Sequence, residues 1–320
     1  FRYFGPIDGH NIKDLIEVLR YLKEVKGPVL LHVVTKKGKG YEHAEKKPID
    51  FHGTTRFEIE TGEVIKIDSS NIPTFTKIFS DTVLELAERD PKIVAITAAM
   101  PEGTGLDKFR EKFPYRYFDV GICEEHAVTF AAGLATQGFK PIVAIYSTFM
   151  QRAFDQVIHD VCLQKLPVVI CMDRAGIVGE DGPTHHGVFD LGFFRMIPEI
   201  VIMAPADENE LRNCIYTAIN LNKPVVIRYP KGKGFGVKIN RDLVFYSPPD
   251  AVEIRRGESI AVAVTGNRLH PVISAVERFE KEYNIPVGIY YFRYVKPLDT
   301  QTIRKFENKK ILAVEDNLLM

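Results

Sequence analysis

Tryptophan is absent from this sequence of 320 residues, and cysteine is scarce, with four residues. These are Cys123, Cys162, Cys171 and Cys214, which lie in apolar contexts without CxxC spacing. The pattern excludes a disulfide scaffold and a cysteine zinc site, and it predicts reduced thiols in a cytosolic-type compartment. No apolar run approaches the about 20 residues that span a bilayer, which predicts a soluble protein.

An excess of charge of either sign is missing as well, because Lys and Arg number 42 and Asp and Glu also number 42. A net charge of zero gives no electrostatic reason to expect nucleic acid or an anionic membrane as a partner. Phe1 begins within patterned sequence, without an initiator Met or a signal or transit segment, and the chain stops directly after the apolar run 311–316. We therefore expect this chain to be part of a longer polypeptide.

Short runs rich in β-branched residues recur along the chain, and most are apolar throughout, as in strands covered on both faces. Strands are predicted at 29–35, 93–97, 142–146, 168–173, 200–203, 225–229, 260–265, 287–292 and 311–316. Helices are predicted at 76–89, 124–137, 149–164, 207–221 and 271–282. This alternation predicts an α/β fold class with doubly wound, mostly parallel sheets and right-handed crossovers.

The segment 119–133 places Glu124, Glu125 and His126 at the start of a helix built from small apolar residues. Such a helix has no polar face and is expected to be buried, whereas acidic residues in its first turn suit the helix dipole. A carboxylate held there needs a partner or a raised pKa. Helix capping alone is the alternative explanation for one of these acids.

Polar residues follow several predicted strands, where ligands bind in doubly wound sheets. Residues 147–152 follow one strand, a Gly-rich loop at 174–187 follows the next, and Arg228 ends a third. A long loop of this kind inside a compact domain is usually functional, although a solvated surface loop is the alternative. We expect one crevice to collect Glu124, Tyr146, Arg174, Asp181, His185 and Arg228.

Six motifs of the chain carry a family resemblance: GICEEHAVTFAAGLA, IYSTFMQRAFDQVIHDV, DRAGIVGEDGPTHHGVFD, IRYPKG, GPIDGH and KKGKGY. They resemble the 1-deoxy-D-xylulose-5-phosphate synthase family, thiamine-diphosphate enzymes related to transketolase. The resemblance implies a transketolase-like thiamine-diphosphate-binding fold. It also implies the end of a first, diphosphate-binding domain at 1–53, a linker at 54–74, a pyrimidine-binding domain at 75–235 and a partial transketolase C-terminal domain at 250–320.

The resemblance implies cofactor-binding roles for Ile122, Glu124, Phe149, Lys37 and Arg152. Glu124 would hydrogen-bond the pyrimidine ring nitrogen, Phe149 would stack on the aminopyrimidine, and Lys37 would lie near the diphosphate. Glu125 stands where the family usually has Gln, which puts a second carboxylate beside the first.

The resemblance also implies substrate-binding roles for Tyr146, Arg174, Asp181, His185 and Arg228. The two arginines would bind a sugar phosphate, for which the guanidinium fork is suited. Catalytic roles are implied for Glu124, His185 and His52.

The family holds Mg²⁺ through a GDG motif followed by Asn, a set of oxygen ligands suited to that cation. No such segment occurs here, so no metal ligand is assigned and Mg²⁺ is expected to bind an N-terminal part of the enzyme that precedes Phe1. The isolated chain is therefore expected to be inactive.

The reaction that the resemblance implies is a thiamine-diphosphate-dependent transferase reaction. Pyruvate condenses with D-glyceraldehyde 3-phosphate, CO₂ is released and 1-deoxy-D-xylulose 5-phosphate forms, the first step of non-mevalonate isoprenoid synthesis that also feeds thiamine and pyridoxal synthesis. The family further implies a homodimer in the cytoplasm, or in the plastid stroma of a photosynthetic eukaryote. A transketolase, a 2-oxoacid dehydrogenase β-subunit and a non-catalytic fragment are the alternatives.

Overall fold

The computed structural model describes residues 1–54, 56–65 and 70–318, without the side chain of Glu180. The chain forms two compact units, Phe1–Asn71 and Ile72–Met320. The predicted linker 54–74 lies partly outside the described residues, at 55 and 66–69. The four domain boundaries stay predictions.

The first unit is built on two parallel strands joined by a helix. Its elements are β1 (Arg2–Asp8), α1 (Ile12–Glu24), β2 (Val29–Val34) and α2 (Glu42–Lys46). Asn11 caps α1, because its side chain accepts a hydrogen bond from the Asp14 backbone N–H. Only β2 was expected from its apolar run. β1 and α1 carry more polar residues and have little buried surface.

The second unit alternates helices and strands. Its first half contains α3 (Phe75–Arg89), β3 (Ile93–Thr97), α4 (Pro101–Thr104), α5 (Asp107–Lys112), β4 (Tyr117–Asp119), α6 (Glu124–Thr136), β5 (Lys140–Tyr146), α7 (Ser147–Met150), α8 (Phe154–Gln156), β6 (Val169–Asp173), α9 (Asp190–Phe194), β7 (Val201–Met203), α10 (Glu208–Asn220) and β8 (Val225–Arg228). Its second half contains β9 (Ala251–Arg255), β10 (Ile260–Val264), α11 (Leu269–Tyr283), β11 (Val287–Phe292), β12 (Tyr294–Lys296), α12 (Thr300–Arg304) and β13 (Lys310–Val314).

Seven strands form the larger sheet, in the order β12-β7-β8-β6-β5-β3-β4. All neighbours are parallel except β12, which pairs antiparallel with β7. One face packs against α3 and α10, and the other against α6 and the residues after α7. Because both faces are covered, the central strands are buried along their length. The predicted doubly wound α/β class is confirmed.

A smaller sheet has the order β13-β10-β11-β9, with β9 antiparallel to the rest. The chain leaves it after β11 and immediately adds β12 to the larger sheet, where Tyr294 pairs with Met203. The two sheets are therefore joined through a single intervening residue, Arg293. Its guanidinium donates two 2.7 Å hydrogen bonds to Glu210 of α10.

The helix expected at 149–164 is wrong as a continuous α-helix. The chain instead runs through α7, a 3₁₀ turn at Gln151–Ala153, α8 and a π-helical turn at Val157–Cys162. Apolar periodicity cannot distinguish these helical forms, because all of them bury one face. π-Turns inside helices are frequent at functional sites. This one lies in the helical segment that begins with residues 147–152, directly after β5.

Candidate active site

The carboxyl ends of β3, β5 and β6 meet at one edge of the larger sheet. The strand order reverses at β3, whose neighbours are β4 and β5. Ligands bind at such a reversal in doubly wound sheets. The loops after these strands therefore define the site, together with the start of α6, which follows β4.

Glu124 begins α6 and is 2% exposed. Its Oε1 accepts a 2.6 Å hydrogen bond from Nη1 of Arg152, a half-exposed side chain. Its Oε2 is buried and has no hydrogen-bond partner in the described part of the chain. A buried acceptor left unpaired costs about 1–3 kcal/mol, so this oxygen is suited to a donor that the chain itself does not supply.

Arg152 links this carboxylate to a group of aromatic rings. Tyr146 and Phe149 stack with ring centroids 5.5 Å apart and planes 10° from parallel. His185 meets Phe149 edge-on at 5.5 Å, and the Arg152 guanidinium lies 5.3 Å from the Phe149 centroid. Phe149 thus connects the acid at the start of α6 with the loop that follows β6.

Arg174 follows β6 with a left-handed backbone, φ 60°. Its guanidinium lies 4.0 Å above the Tyr146 ring, and Nη1 donates a 2.8 Å hydrogen bond to the Gly103 carbonyl oxygen. Its Nε is 3.9 Å from a carboxylate oxygen of Asp181. Burial raises the pKa of Tyr146 well above its usual value, although the nearby Arg174 opposes that shift, and the phenol stays neutral.

Asp173 was missed by sequence reasoning and is the buried acid beneath Arg174. It lies 3.1 Å from Arg174 Nη1 and accepts a 2.6 Å hydrogen bond from Thr76 Oγ1. Burial raises the pKa of this carboxyl, while the Arg174 charge and the hydrogen bonds oppose the shift. The sequence did contain a signal for Asp173, because it is the one acid in β6 and stands at the last position of that otherwise apolar strand.

The loop 174–187 closes on two glycines. Gly176 and Gly187 exchange backbone hydrogen bonds of 2.8 Å in both directions, and two 3₁₀ turns, Gly179–Asp181 and Pro183–His185, lie between them. Asp181 is ion-paired with Lys231, and His185 lies 2.9 Å from the hydroxyl of the preceding Thr184. The loop is therefore closed at its base, and Asp181 and His185 each have a polar partner.

Arg228 ends β8 and is 3% exposed. Its Nε donates to Asp190 at 2.9 Å and its Nη1 to Asp316 at 2.7 Å, while Nη2 is buried without a partner among the residues described. Burial tends to lower its pKa, but the two carboxylates outweigh this and raise it. Sequence reasoning missed both acids, and their geometry is that of a buried structural ion pair.

Seven expected residues therefore form one connected set of contacts: Glu124, Arg152, Phe149, Tyr146, Arg174, Asp181 and His185. Arg228 reaches this set through Asp190, which also accepts a 3.1 Å hydrogen bond from Ser147. Ile122 is 76% exposed. Lys37 and His52 belong to the first unit, so their roles stay predictions.

Other candidate sites in the described ranges are few. No group of three or more His, Cys, Asp or Glu side chains there is placed to hold a metal ion, and no helix there is long and apolar enough to cross a bilayer. A groove of about 640 Å³ lies between the α9 region and β12, and its lining includes none of the expected site residues. It is lined by Gly192, Arg195, Met196, Val295, Lys296 and Leu298.

Comparisons with known proteins identify the family that this chain resembles. Residues 72–235 match the family described as "Transketolase, pyrimidine binding domain", and residues 1–35 match "1-deoxy-D-xylulose-5-phosphate synthase". The 1-deoxy-D-xylulose-5-phosphate synthase of Oleidesulfovibrio alaskensis is 50% identical over 320 residues, covering 99% of this chain and 50% of the relative. That of Aquifex aeolicus is 50% identical over 322 residues, covering 100% and 51%. The chain spans about half the length of these curated relatives.

Solved structures confirm the expected transketolase-like fold. A split-gene transketolase, described as an inactive β4 tetramer, superposes with a TM-score of 0.67 at 25% identity, covering 76% of this chain and 80% of that one. Transketolase from Pichia stipitis, in complex with sedoheptulose 7-phosphate, superposes with a TM-score of 0.66 at 20% identity, covering 77% and 39%. The second likeness concerns the fold alone.

Proposed function

Because the chain belongs to the transketolase family through its pyrimidine-binding domain, and matches 1-deoxy-D-xylulose-5-phosphate synthases along its whole length, we propose that it is the pyrimidine- and substrate-binding part of such a synthase. The reaction joins pyruvate to D-glyceraldehyde 3-phosphate with release of CO₂ and forms 1-deoxy-D-xylulose 5-phosphate. This product begins isoprenoid precursor synthesis.

The observation that carries the proposal is the unpaired Oε2 of Glu124. This oxygen is a buried acceptor, and Arg152, which bonds the other carboxylate oxygen, lies 5.3 Å from the Phe149 ring centroid. An acceptor and an aromatic ring fit a planar pyrimidine with a ring N–H. Bound thiamine diphosphate supplies a carbanion for attack on 2-oxo acids and an electron sink for their decarboxylation. Glu124 Oε2 would accept a hydrogen bond from the pyrimidine ring N–H, and Arg152 would hold that carboxylate in place. In a site shielded from water, such a hydrogen bond is strong.

The acceptor aldehyde is proposed to bind on the other side of Tyr146. Arg174 presents a guanidinium at the rim of the site, with its side chain 14% exposed, and Nε is buried without a hydrogen-bond partner in the described structure. Asp181 and His185 lie on the adjoining loop and are suited to orient hydroxyl groups and to move a proton at the aldehyde oxygen. Arg228 is 3% exposed and bonded to two carboxylates, so it has far less access to a bound phosphate than Arg174.

Mg²⁺ is proposed to be held outside this chain, because the described residues provide no cluster of ligands for it. Cofactor binding by Lys37 and a catalytic role for His52, both residues of the first unit, also belong to the proposal. A homodimer also belongs to the proposal and is tested by the mass of the protein in sedimentation equilibrium.

Product analysis tests the reaction itself, and like the other kinetic tests it uses the full-length enzyme of which this chain is a part. Pyruvate and D-glyceraldehyde 3-phosphate should yield 1-deoxy-D-xylulose 5-phosphate, whereas a transketolase would instead transfer a two-carbon unit from a ketose phosphate. Formation of ketose-transfer products alone would overturn the assignment.

A pair of variants tests the role of Glu124. Glu124→Gln keeps the shape but cannot take up the proton, so the rate should fall by about 10²–10⁴ while the fold is retained. The control is Glu125→Gln, which is exposed in the next position and should be tolerated. Near-normal exchange of the cofactor's thiazolium proton in Glu124→Gln would contradict the role.

A further inference from the structure

Three consecutive residues, Asp316, Asn317 and Leu318, extend from β13 onto the loop after β6. Asp316 accepts a hydrogen bond from Arg228, Asn317 Nδ2 donates to Asp190, and the Leu318 backbone N–H donates to the Val188 carbonyl oxygen at 2.9 Å. These three residues, which follow the smaller sheet, thus contact Arg228 of β8 and, at Val188 and Asp190, the C-terminal end of the loop.

Asp316 also packs against the loop's glycine base. A Cβ placed on Gly176 would lie 2.2 Å from Asp316 Oδ2, so the carboxylate fills the space that a side chain there would need. Arg268 lies 3.6 Å from the same carboxylate through its Nη2. Asp316 is 7% exposed and is held between two guanidinium groups and the backbone of the loop.

Gly176 exchanges hydrogen bonds with Gly187, which closes the loop that carries Asp181 and His185. A loop has few contacts of its own, and its order depends on the elements packed against its ends. The three-residue segment contacts one end at Gly176 and the other end at Val188 and beyond, so it contacts both sides of the closure.

We propose that Asp316 and Asn317 are positioning residues that hold the loop 174–190, and with it Asp181 and His185, in the geometry that receives the acceptor substrate. The substrate part of this inference rests on the proposed function, whereas the holding of the loop does not. Neither residue was expected to belong to the site from the sequence, because both lie more than 120 residues after the loop begins.

Hydrogen exchange of the loop amides tests the holding role without substrate. In Asp316→Ala and Asn317→Ala, peptides covering Gly176 and Gly187 should exchange about tenfold to a hundredfold faster, the equilibrium equivalent of one lost charge-assisted hydrogen bond. Asn317→Ala keeps the ion pair between Asp316 and Arg228, so it remains informative if Asp316→Ala fails to fold. Unchanged loop exchange in Asn317→Ala would overturn the proposal.

Asp299→Ala is the matched control. Asp299 caps α12 in the same part of the chain through the N–H groups of Gln301 and Thr302, and it has no bond to the loop. Its loss should leave the loop's exchange unchanged. Equal acceleration in Asp299→Ala would mean that general destabilisation explains the effect, and it would overturn the positioning role.

Steady-state kinetics test the substrate part. Asn317→Ala should raise KM for D-glyceraldehyde 3-phosphate about tenfold and leave KM for pyruvate within twofold. Faster loop exchange with no change in either KM would overturn the link to the acceptor and leave the holding role. If the unaltered full-length enzyme makes no 1-deoxy-D-xylulose 5-phosphate, the proposed function fails, while the exchange experiment still decides the holding role.

Discussion

Replacing Arg228 by Ala separates a structural role from a phosphate-binding role. The guanidinium is 3% exposed and donates hydrogen bonds of 2.9 Å to Asp190 and 2.7 Å to Asp316, both of which are buried. Removing it leaves two buried carboxylates without their main partner. Breaking a buried ion pair by removing one member typically costs about 3–5 kcal/mol.

A loss of that size is large in a thermal unfolding experiment. One kcal/mol corresponds to about 2–4 °C in Tm for a protein of 150–250 residues, so Arg228→Ala should lower Tm by about 6–20 °C. Differential scanning calorimetry measures this directly. Arg228→Lys keeps the charge but cannot reach both acids with one planar fork, and it should recover only part of the loss.

A double-mutant cycle makes the test sharper. Because Arg228 and Asp316 share a hydrogen bond, Arg228→Ala and Asp316→Asn should be non-additive, with a coupling of about 1.5–3 kcal/mol. A change in Tm below about 2 °C in Arg228→Ala, together with a raised KM for D-glyceraldehyde 3-phosphate alone, would refute the structural reasoning. It would restore the phosphate-binding role first expected from the sequence.

Three further predictions concern the same region. Arg174→Ala should raise KM for D-glyceraldehyde 3-phosphate about 10–100-fold and leave that for pyruvate nearly unchanged, with Arg174→Lys intermediate; equal effects on both substrates in steady-state kinetics would contradict the assignment. Gly187→Ala should destabilise the protein by about 1–3 kcal/mol in thermal unfolding, because its Cβ would lie 2.5 Å from the Arg174 carbonyl oxygen, whereas Gly133→Ala, with open space around its Cβ, should be neutral or stabilising. Burial alone would raise the pKa of Asp316, but the charge and hydrogen bond of Arg228 together with the charge of Arg268 outweigh burial and lower the pKa from 3.8. This group therefore adds stability above about pH 4 that is lost as the pH falls through its folded pKa. The acid limb of Tm against pH should therefore be shallower in Asp316→Asn, and an unchanged limb would show that this carboxyl contributes nothing.

The sequence by itself determined buried strands in both sheets. The runs at 93–97 and 287–292 coincide with β3 and β11, because strands covered on both faces are apolar throughout and are bounded by polar turns. The rule that ligands bind at carboxyl ends of parallel strands then brought Tyr146 and Arg174 together correctly. Both inferences depend on information that is local in the chain.

The tertiary structure decided which charges meet. Arg228 is 38 residues from Asp190 and 88 from Asp316, and nothing in the local pattern around any of the three shows that they share one buried cluster. The same holds for β12, whose three residues become a strand only because Met203 and its neighbours offer an edge to pair with. Burial and periodicity leave a repeating pattern in the sequence, whereas a single long-range ion pair or strand pairing leaves none. The loop 174–187 is consequently predictable from the sequence, whereas the packing of Asp316 against Gly176 appears only when the chain is folded.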